Sequence, residues 1–357
     1  MVNKNILIIT PKLKISGGVS SYWNALIPEL SKYGNIENFQ IGGHGKNIFG
    51  PIFDQWKFKK ELQKSSDLVF LNPSLGSRSF FRDALLAKQI IKKNTSFVVF
   101  FHGWSLDFEK KVDDKYVNFF LSTFGQAKII FVLSNDFKNK ILEWGYKGKV
   151  ILETTNVESS LIDNFSSSDK LDLIKKTDKI KILFLARLLR EKGIFETVEA
   201  FRSLSTKYNN IELTIAGDGK DLEELKQFIK NDKNIIVAGY VEGKNKIDLF
   251  KNSHIYCLPS YSEGLPTSVL EAMLFALPVI TTAVGGLKEF FQDETMGYFV
   301  EPKNVKELEK KLELLLLDKN NIAKIGQYNT IYANEKLLNT VVAKRINSYI
   351  EEVINEK

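Results

Sequence analysis

In the stretch SYSEGLPTSVLEAM, two carboxylates stand eight residues apart: Glu263 in a loop-like run and Glu271 on an expected short helix. An acid just before a helix start is favoured by the helix dipole without any further role. Glu271 is different, because Val269, Leu270, Ala272 and Met273 surround it. A carboxylate in such company needs a partner, either a Lys or Arg from elsewhere or a ligand hydroxyl. Pro266 suits a helix first turn, and Thr267 or Ser268 can satisfy free N–H groups there. Upstream, in RLLREKG, Arg187 and Lys192 flank the entry to another expected helix. Two cations beside a helix N-terminus suit a diphosphate, although a solvated loop reads equally well. Gly17-Gly18 in PKLKISGGV let backbone N–H groups approach a ligand, or simply form a tight turn. His102 follows the run SFVVFF and precedes Gly103, a place that favours a functional role, whereas His44 and His254 read as structural.

These residues sit where β-rich runs stop. NILIIT, DLVFLN, SFVVFF and KIIFVL alternate with amphipathic stretches, one of them near Lys111–Phe124. IKILFLA, IELTIAG, NIIVAG, HIYCLP and PVITT then repeat the scheme. Such alternation predicts α/β domains with parallel sheets, in which ligands bind beyond the carboxyl ends of strands. The polar run Asn164–Lys179 reads as a linker, and Asn334–Ile354 as an amphipathic helix with no strand after it. The expected division is 1–165, 166–335 and a C-terminal helix, 336–357, packing back toward the first domain.

A chain of 357 residues fits two domains better than one. No apolar run reaches the ~18 residues of a spanning helix, and the start MVNKNILIITP does not read as a signal peptide. The lone Cys257 reads as a small buried hydrophobe, so a cytoplasmic protein is expected. The net charge of +7 lies wholly in residues 1–170, which hold 23 Lys and Arg against 16 Asp and Glu. That asymmetry predicts an anionic partner, a membrane surface or nucleic acid. In the first half, FDQWKFKKELQK and SRSFFRDALLAKQIIKK mix basic with apolar residues; the apolar ones are either core or part of a basic docking face.

The run SEGLPTSVLEAMLFALPVITTAVGGLKEF closely resembles the E-x7-E signature of retaining glycosyltransferases of family 4, the group 1 glycosyltransferases of GT-B fold. Gly17-Gly18, His102 in FFHGW, Ser134 in FVLSNDF, LFLARLLREKG, IAGDG and VAGYV extend the resemblance over most of the chain. It implies two Rossmann-like domains facing across a cleft. It also implies roles for single residues. Arg187 and Lys192 would grip the diphosphate of a nucleotide-sugar, and Glu271 would accept from the ribose hydroxyls. Glu263 would touch the donor sugar. The backbone of Gly264, Leu265, Pro266, Thr267 and Ser268 would serve sugar and phosphate. Gly17 and Gly18 would close on the phosphates, Tyr240 and Val241 would lie against the base, and His102 would sit over the anomeric centre. Transfer would occur with retention by front-face attack.

No Asp-Xaa-Asp occurs, so neither metal nor cofactor is expected; the donor, a UDP- or GDP-sugar, is a substrate. The acceptor implied is a glycan or lipid-linked intermediate, with an anionic membrane surface as partner of the first domain. The enzyme would be peripheral on the inner face of the plasma membrane. Two departures stand out. Asn156-Val157 lacks the glycine common between them, and Ala283 replaces an acid common before Val-Gly-Gly. The alternatives are a non-catalytic sugar-nucleotide-binding protein and a sugar-nucleotide epimerase of the same fold. Nucleic-acid binding ranks last, since no P-loop or known binding module is present.

Overall fold

The computed structural model describes residues 4–15, 17–43 and 50–356, so His44, expected to be structural, lies outside the described residues. Two compact units emerge: residues 1–156 with 339–357, and residues 157–338. Among the described residues eight strands belong to the first: β1 (Asn5–Pro11), β2 (Asn35–Ile41), β3 (Leu68–Leu71), β4 (Ser74–Leu75), β5 (Phe97–Phe100), β6 (Gly103–Trp104), β7 (Ile129–Val132) and β8 (Lys149–Leu152). Six of them form a parallel sheet in the order β2-β1-β3-β5-β7-β8, and β4 pairs with β6 apart from it. Every residue of β3, β5 and β7 is buried, as expected of central strands covered by helices on both faces.

The second unit holds β9 (Ile180–Leu185), β10 (Ile211–Ala216), β11 (Ile235–Gly239), β12 (Ile255–Leu258), β13 (Val279–Thr281) and β14 (Gly297–Phe299). Their order, β11-β10-β9-β12-β13-β14, is that of a Rossmann sheet, with chain direction across the sheet reversing between β9 and β12. In the first unit the reversal falls between β1 and β3.

Three expectations need correction. Asn164–Lys179 is no linker: Ser167–Lys176 is a helix, capped where Ser166 Oγ accepts from Asp169 N at 3.2 Å. It buries Lys170, Leu171 and Ile174. Lys170 Nζ donates to Phe250 O at 2.7 Å and Phe275 O at 2.8 Å, carbonyls at the C-terminal ends of two other helices. A cation suits those ends, so a lysine occupies a position that an apolar residue would ordinarily mark. The stretch near Lys111–Phe124 is no single helix either. Helix Leu106–Lys111 passes through a π turn, Val112–Tyr116, into Val117–Leu121. Lastly, the units part after Asn156 and Leu338, where the expectation was residues 165 and 335. Val157 N donates to Leu337 O at 2.9 Å, which ties both connecting segments to the second unit.

The C-terminal helix, Asn339–Asn355, belongs to the first unit and packs on helix Gly18–Leu30. Asn339 Nδ2 donates to Ala25 O at 3.0 Å, and Arg345 pairs with the buried Glu153. Among the described residues no helix is long and apolar enough to cross a membrane.

Candidate active site

In the second unit the loops after β9 and β12 meet at the point of reversal. Gly193 ends the turn Arg190–Lys192 with φ 75°, and a Cβ there would lie 2.3 Å from Pro259 O. Only glycine lets the two loops approach this closely. Their contact places Lys192 Nζ 2.7 Å from Glu263 Oε1, which also accepts from Ser260 Oγ at 2.7 Å. Both members of the pair are largely buried, with side chains 9% and 12% exposed. Lys192 is thus not the solvent-facing residue that a cleft-lining loop suggests. Its neighbour Arg187 is exposed, with no ion-pair partner among the described residues. The backbone beyond Glu263 is braced from the Val-Gly-Gly run. Gly286 N donates to Gly264 O at 2.6 Å, and a Cβ on Gly285 would lie 2.1 Å from Glu263 O.

Helix Thr267–Leu274 begins after Pro266 without a side-chain cap, so neither Thr267 nor Ser268 plays the capping part expected of it. Ser268 Oγ lies instead 2.7 Å from the hydroxyl of the buried Tyr256, which donates to Leu185 O at 2.8 Å. The free N–H groups of this helix therefore remain available to an anion. Four residues in, Glu271 is buried and its partner is a lysine: Lys246 Nζ stands 2.8 Å from Oε1. Burial pushes the Glu271 carboxyl above its ordinary pKa, Lys246 opposes the shift, and Glu158 adds to it. Tyr240, after β11, is exposed and donates to Glu242 Oε2 at 3.1 Å; Val241 beside it is half-buried.

The first unit gathers a different set at its own reversal. After β1, Gly17 occupies the N-cap position and Gly18 opens helix Gly18–Leu30, whose N-terminus also has no side-chain cap. A Cβ on either glycine would meet nothing within 4 Å, and Gly17 has an ordinary extended φ of 167°. Neither backbone conformation nor packing among the described residues demands glycine here. After β5, His102 is buried. Its ring stacks on Phe100 at 3.9 Å and meets Tyr22 edge-on at 4.7 Å. Burial lowers its pKa to about 3, so the ring is neutral at physiological pH. Asn72 Nδ2 donates to Ile9 O at 2.7 Å, which turns Asn72 Oδ1 toward His102 Nε2 at 3.2 Å. The ring must then carry its proton on Nε2 and leave Nδ1 as an acceptor. Ser134 caps helix Asn135–Glu143, its Oγ accepting from Phe137 N. His254 is structural as expected, its Nδ1 accepting from Lys181 N at 2.9 Å. Buried Asn156 donates to Tyr22 O at 3.2 Å.

Residues 167–331 match the family described as glycosyl transferases group 1. Over this span the chain is similar to group 1 glycosyl transferases. A putative teichuronic acid biosynthesis glycosyltransferase of Bacillus subtilis (strain 168) is 37% identical over 131 residues, 37% of this chain and 31% of that protein. Sucrose-phosphate synthase from Thermosynechococcus elongatus superposes with a TM-score of 0.80 at 17% identity, covering 99% of this chain and 100% of the other. HepE of Anabaena, solved with UDP and glucose, gives 0.72 at 15% identity over 98% and 100%. These likenesses show the GT-B fold of two parallel-sheet α/β units. The matched region spans between 31% and 64% of the first curated relatives. The group 1 glycosyl transferase match contains Arg187, Lys192, Tyr240, Val241 and the whole run from Glu263 to Glu271. Lys246, Ser260 and Tyr256, which hold these residues in place, carry no motif and went unnoticed in the sequence. Asn72 is the same for His102.

Proposed function

We propose that this protein transfers a sugar, with retention, from a nucleoside-diphosphate donor to a hydroxyl of a glycan or lipid-linked acceptor during polysaccharide or glycoconjugate synthesis. The observation that carries this reading is the Lys192–Glu263 pair beside an uncapped helix N-terminus, at the reversal point of a Rossmann sheet. Such a place suits a diphosphate. Arg187 and Lys192 hold the phosphates, which draws Lys192 from Glu263 and frees that carboxylate for the donor sugar's hydroxyls. The N–H groups from Gly264 to Ser268 add their partial positive charge, Glu271 takes the ribose, and Tyr240 and Val241 lie along the base. Gly17 and Gly18 offer backbone to the phosphates.

As the anomeric bond breaks, negative charge grows on the departing phosphate, and these cations and dipoles stabilise it more than they stabilise the ground state. The acceptor oxygen then attacks from the same face, and its proton passes to the leaving phosphate oxygen. His102, neutral, presents a hydrogen-bonding edge beside the anomeric centre without adding charge. No cofactor takes part, and the absence of Asp-Xaa-Asp from the sequence favours metal-independent transfer.

The HepE complex and the teichuronic acid relative support a UDP-sugar and a cell-surface glycan respectively. A lipid-linked acceptor is supported by helix Gly50–Glu61 of the first unit, which exposes Ile52, Phe53 and Trp56 among lysines. We place the enzyme on the cytoplasmic face of an anionic membrane. Hydrolysis of UDP-, GDP- and ADP-sugars by the purified protein tests the reading: one base should be preferred, and Lys192→Ala should abolish the signal. No hydrolysis and no nucleotide binding with any base would leave the reading without support.

A further inference from the structure

We propose that Lys246 is a positioning residue for the donor: by pairing with one oxygen of Glu271 it keeps that buried carboxylate ionised and its other oxygen ready for the ribose. This inference rests on the nucleotide reading above. Lys246 lies in the first turn of helix Gly243–Asn252, just after the Tyr240-Val241 loop, and its side chain is 25% exposed against 10% for Glu271. Nζ meets Oε1 at 2.8 Å, while Oε2 has no hydrogen-bond partner among the described residues and is not sealed from solvent. One oxygen is thus held and the other is free to accept.

Lys246 and two other groups bear on this carboxylate from the elements around it. Glu158, before the turn Ser159–Ile162, carries a like charge. Tyr256 of β12 is buried and uncharged, and its hydroxyl is engaged by Leu185 O and Ser268. Lys246 is the only cation among them. Desolvation and Glu158 both favour the protonated form, so loss of Lys246 leaves nothing to oppose them. A protonated carboxyl is a poorer acceptor for two ribose hydroxyls, and affinity should then fall as pH falls.

Calorimetric titration with UDP, GDP and ADP from pH 5.5 to 8.5 tests the inference on the full chain. For the nucleotide that wild type binds, Lys246→Met should lose about tenfold or more in affinity at pH 6 but less than about threefold at pH 8.5. Lys246→Arg should follow wild type, and Glu271→Gln should bind weakly with no pH slope. Lys246→Gln, which keeps a donor without the charge, should repeat the Met slope and serves if Met disturbs the helix. A Lys246→Met or Lys246→Gln variant with wild-type affinity at every pH overturns the proposal, as does a uniform loss without slope. Wild type that binds none of the three nucleotides overturns the nucleotide reading itself, and the inference with it.

Discussion

The candidate residues of both units follow strands at or next to a reversal of sheet order, β1, β3 and β5 in one and β9 and β12 in the other, yet they differ in charge. In the second unit, Lys192–Glu263 and Lys246–Glu271 are ion pairs with little exposed surface. In the first, a neutral His102 is packed between Phe100 and Tyr22 and held by an amide. A phosphate leaving group gathers negative charge, and fixed cations lower its energy most where water is scarce. A hydroxyl acceptor carries no charge, and a charged imidazole beside it would gain nothing that a neutral one lacks. Each unit's electrostatics matches the ligand part assigned to it above.

The neutrality of His102 can be broken with acid, and this is the largest effect expected. Its folded pKa of about 3 lies below the ordinary 6.5, so the unfolded chain binds more protons between those values. Stability therefore rises with pH across that window and is lost as pH falls from 6.5 toward 3. His254 of the second unit, lowered to about 4 by burial and then by Lys170 and Lys181, acts in the same sense. Together they should cost about 4 kcal/mol between pH 6.5 and 4.5, each about 2. In His102→Phe the lost Asn72 contact weakens the fold at both pH values, but the difference between them should shrink by the His102 share. Urea unfolding at the two pH values measures it; an unchanged difference means His102 is not held neutral.

The charged side of the comparison is tested at Lys192. Lys192→Ala should lower turnover about 10²-fold or more, because the cation acts on charge that develops during bond breaking. The fold should persist, since Glu263 keeps Ser260 as a donor. A folded variant with normal turnover would remove the loop after β9 from the mechanism. Next come the two acids. Glu271→Gln should weaken binding of the free nucleoside diphosphate by roughly 1.5–3 kcal/mol, the range for hydrogen bonds to a charged group. Glu263→Gln should leave that affinity alone and depress transfer. Equal losses in a titration of both variants would show that the two carboxylates do not divide sugar from ribose.

The sheets and the loops after β9, β10 and β12 were legible because periodic apolar runs and short glycine-bearing motifs are local in sequence. Gly193, Gly217, Gly219 and Gly285 each sit where a Cβ would collide with backbone, and all four fall inside motifs singled out beforehand. What stayed hidden was pairing across distance. Glu271 announced that it needed a partner, but nothing in EGKNKIDLF marks Lys246 among its two lysines and two acids. Asn72 is likewise separated from His102 by a whole helix. Helix Ser167–Lys176 was misread as linker because the buried Lys170 breaks its apolar stripe, and only the carbonyls of Phe250 and Phe275 explain that lysine.

The smallest effect expected concerns the surplus positive charge of the first half. Helix Gly50–Glu61 buries Phe58 but exposes Ile52 by 67% and Phe53 and Trp56 by 51% each. The two rings stack at 5.9 Å, with Lys57 Nζ 4.6 Å over Phe53 and Lys60 Nζ 3.6 Å over Trp56. Core packing thus does not account for these aromatics, whereas in helix Ser77–Lys92 it accounts for Phe80, Leu86 and Ile90. Exposed rings beside ammonium groups suit the interface of an anionic bilayer, where each Lys contributes up to about 1 kcal/mol, screened by salt. Lys64 should contribute least, since Glu61 holds it at 2.6 Å and Glu37 stands at 3.6 Å. The protein should therefore sediment with anionic vesicles, less with neutral ones, and not at all at high salt. Changing Lys57, Lys59 and Lys60 to Ser should weaken that binding and leave nucleotide affinity intact, while Lys64→Ser alone should change little. Equal sedimentation with both kinds of vesicle, or none with either, rejects the membrane face and points to a soluble glycan as acceptor.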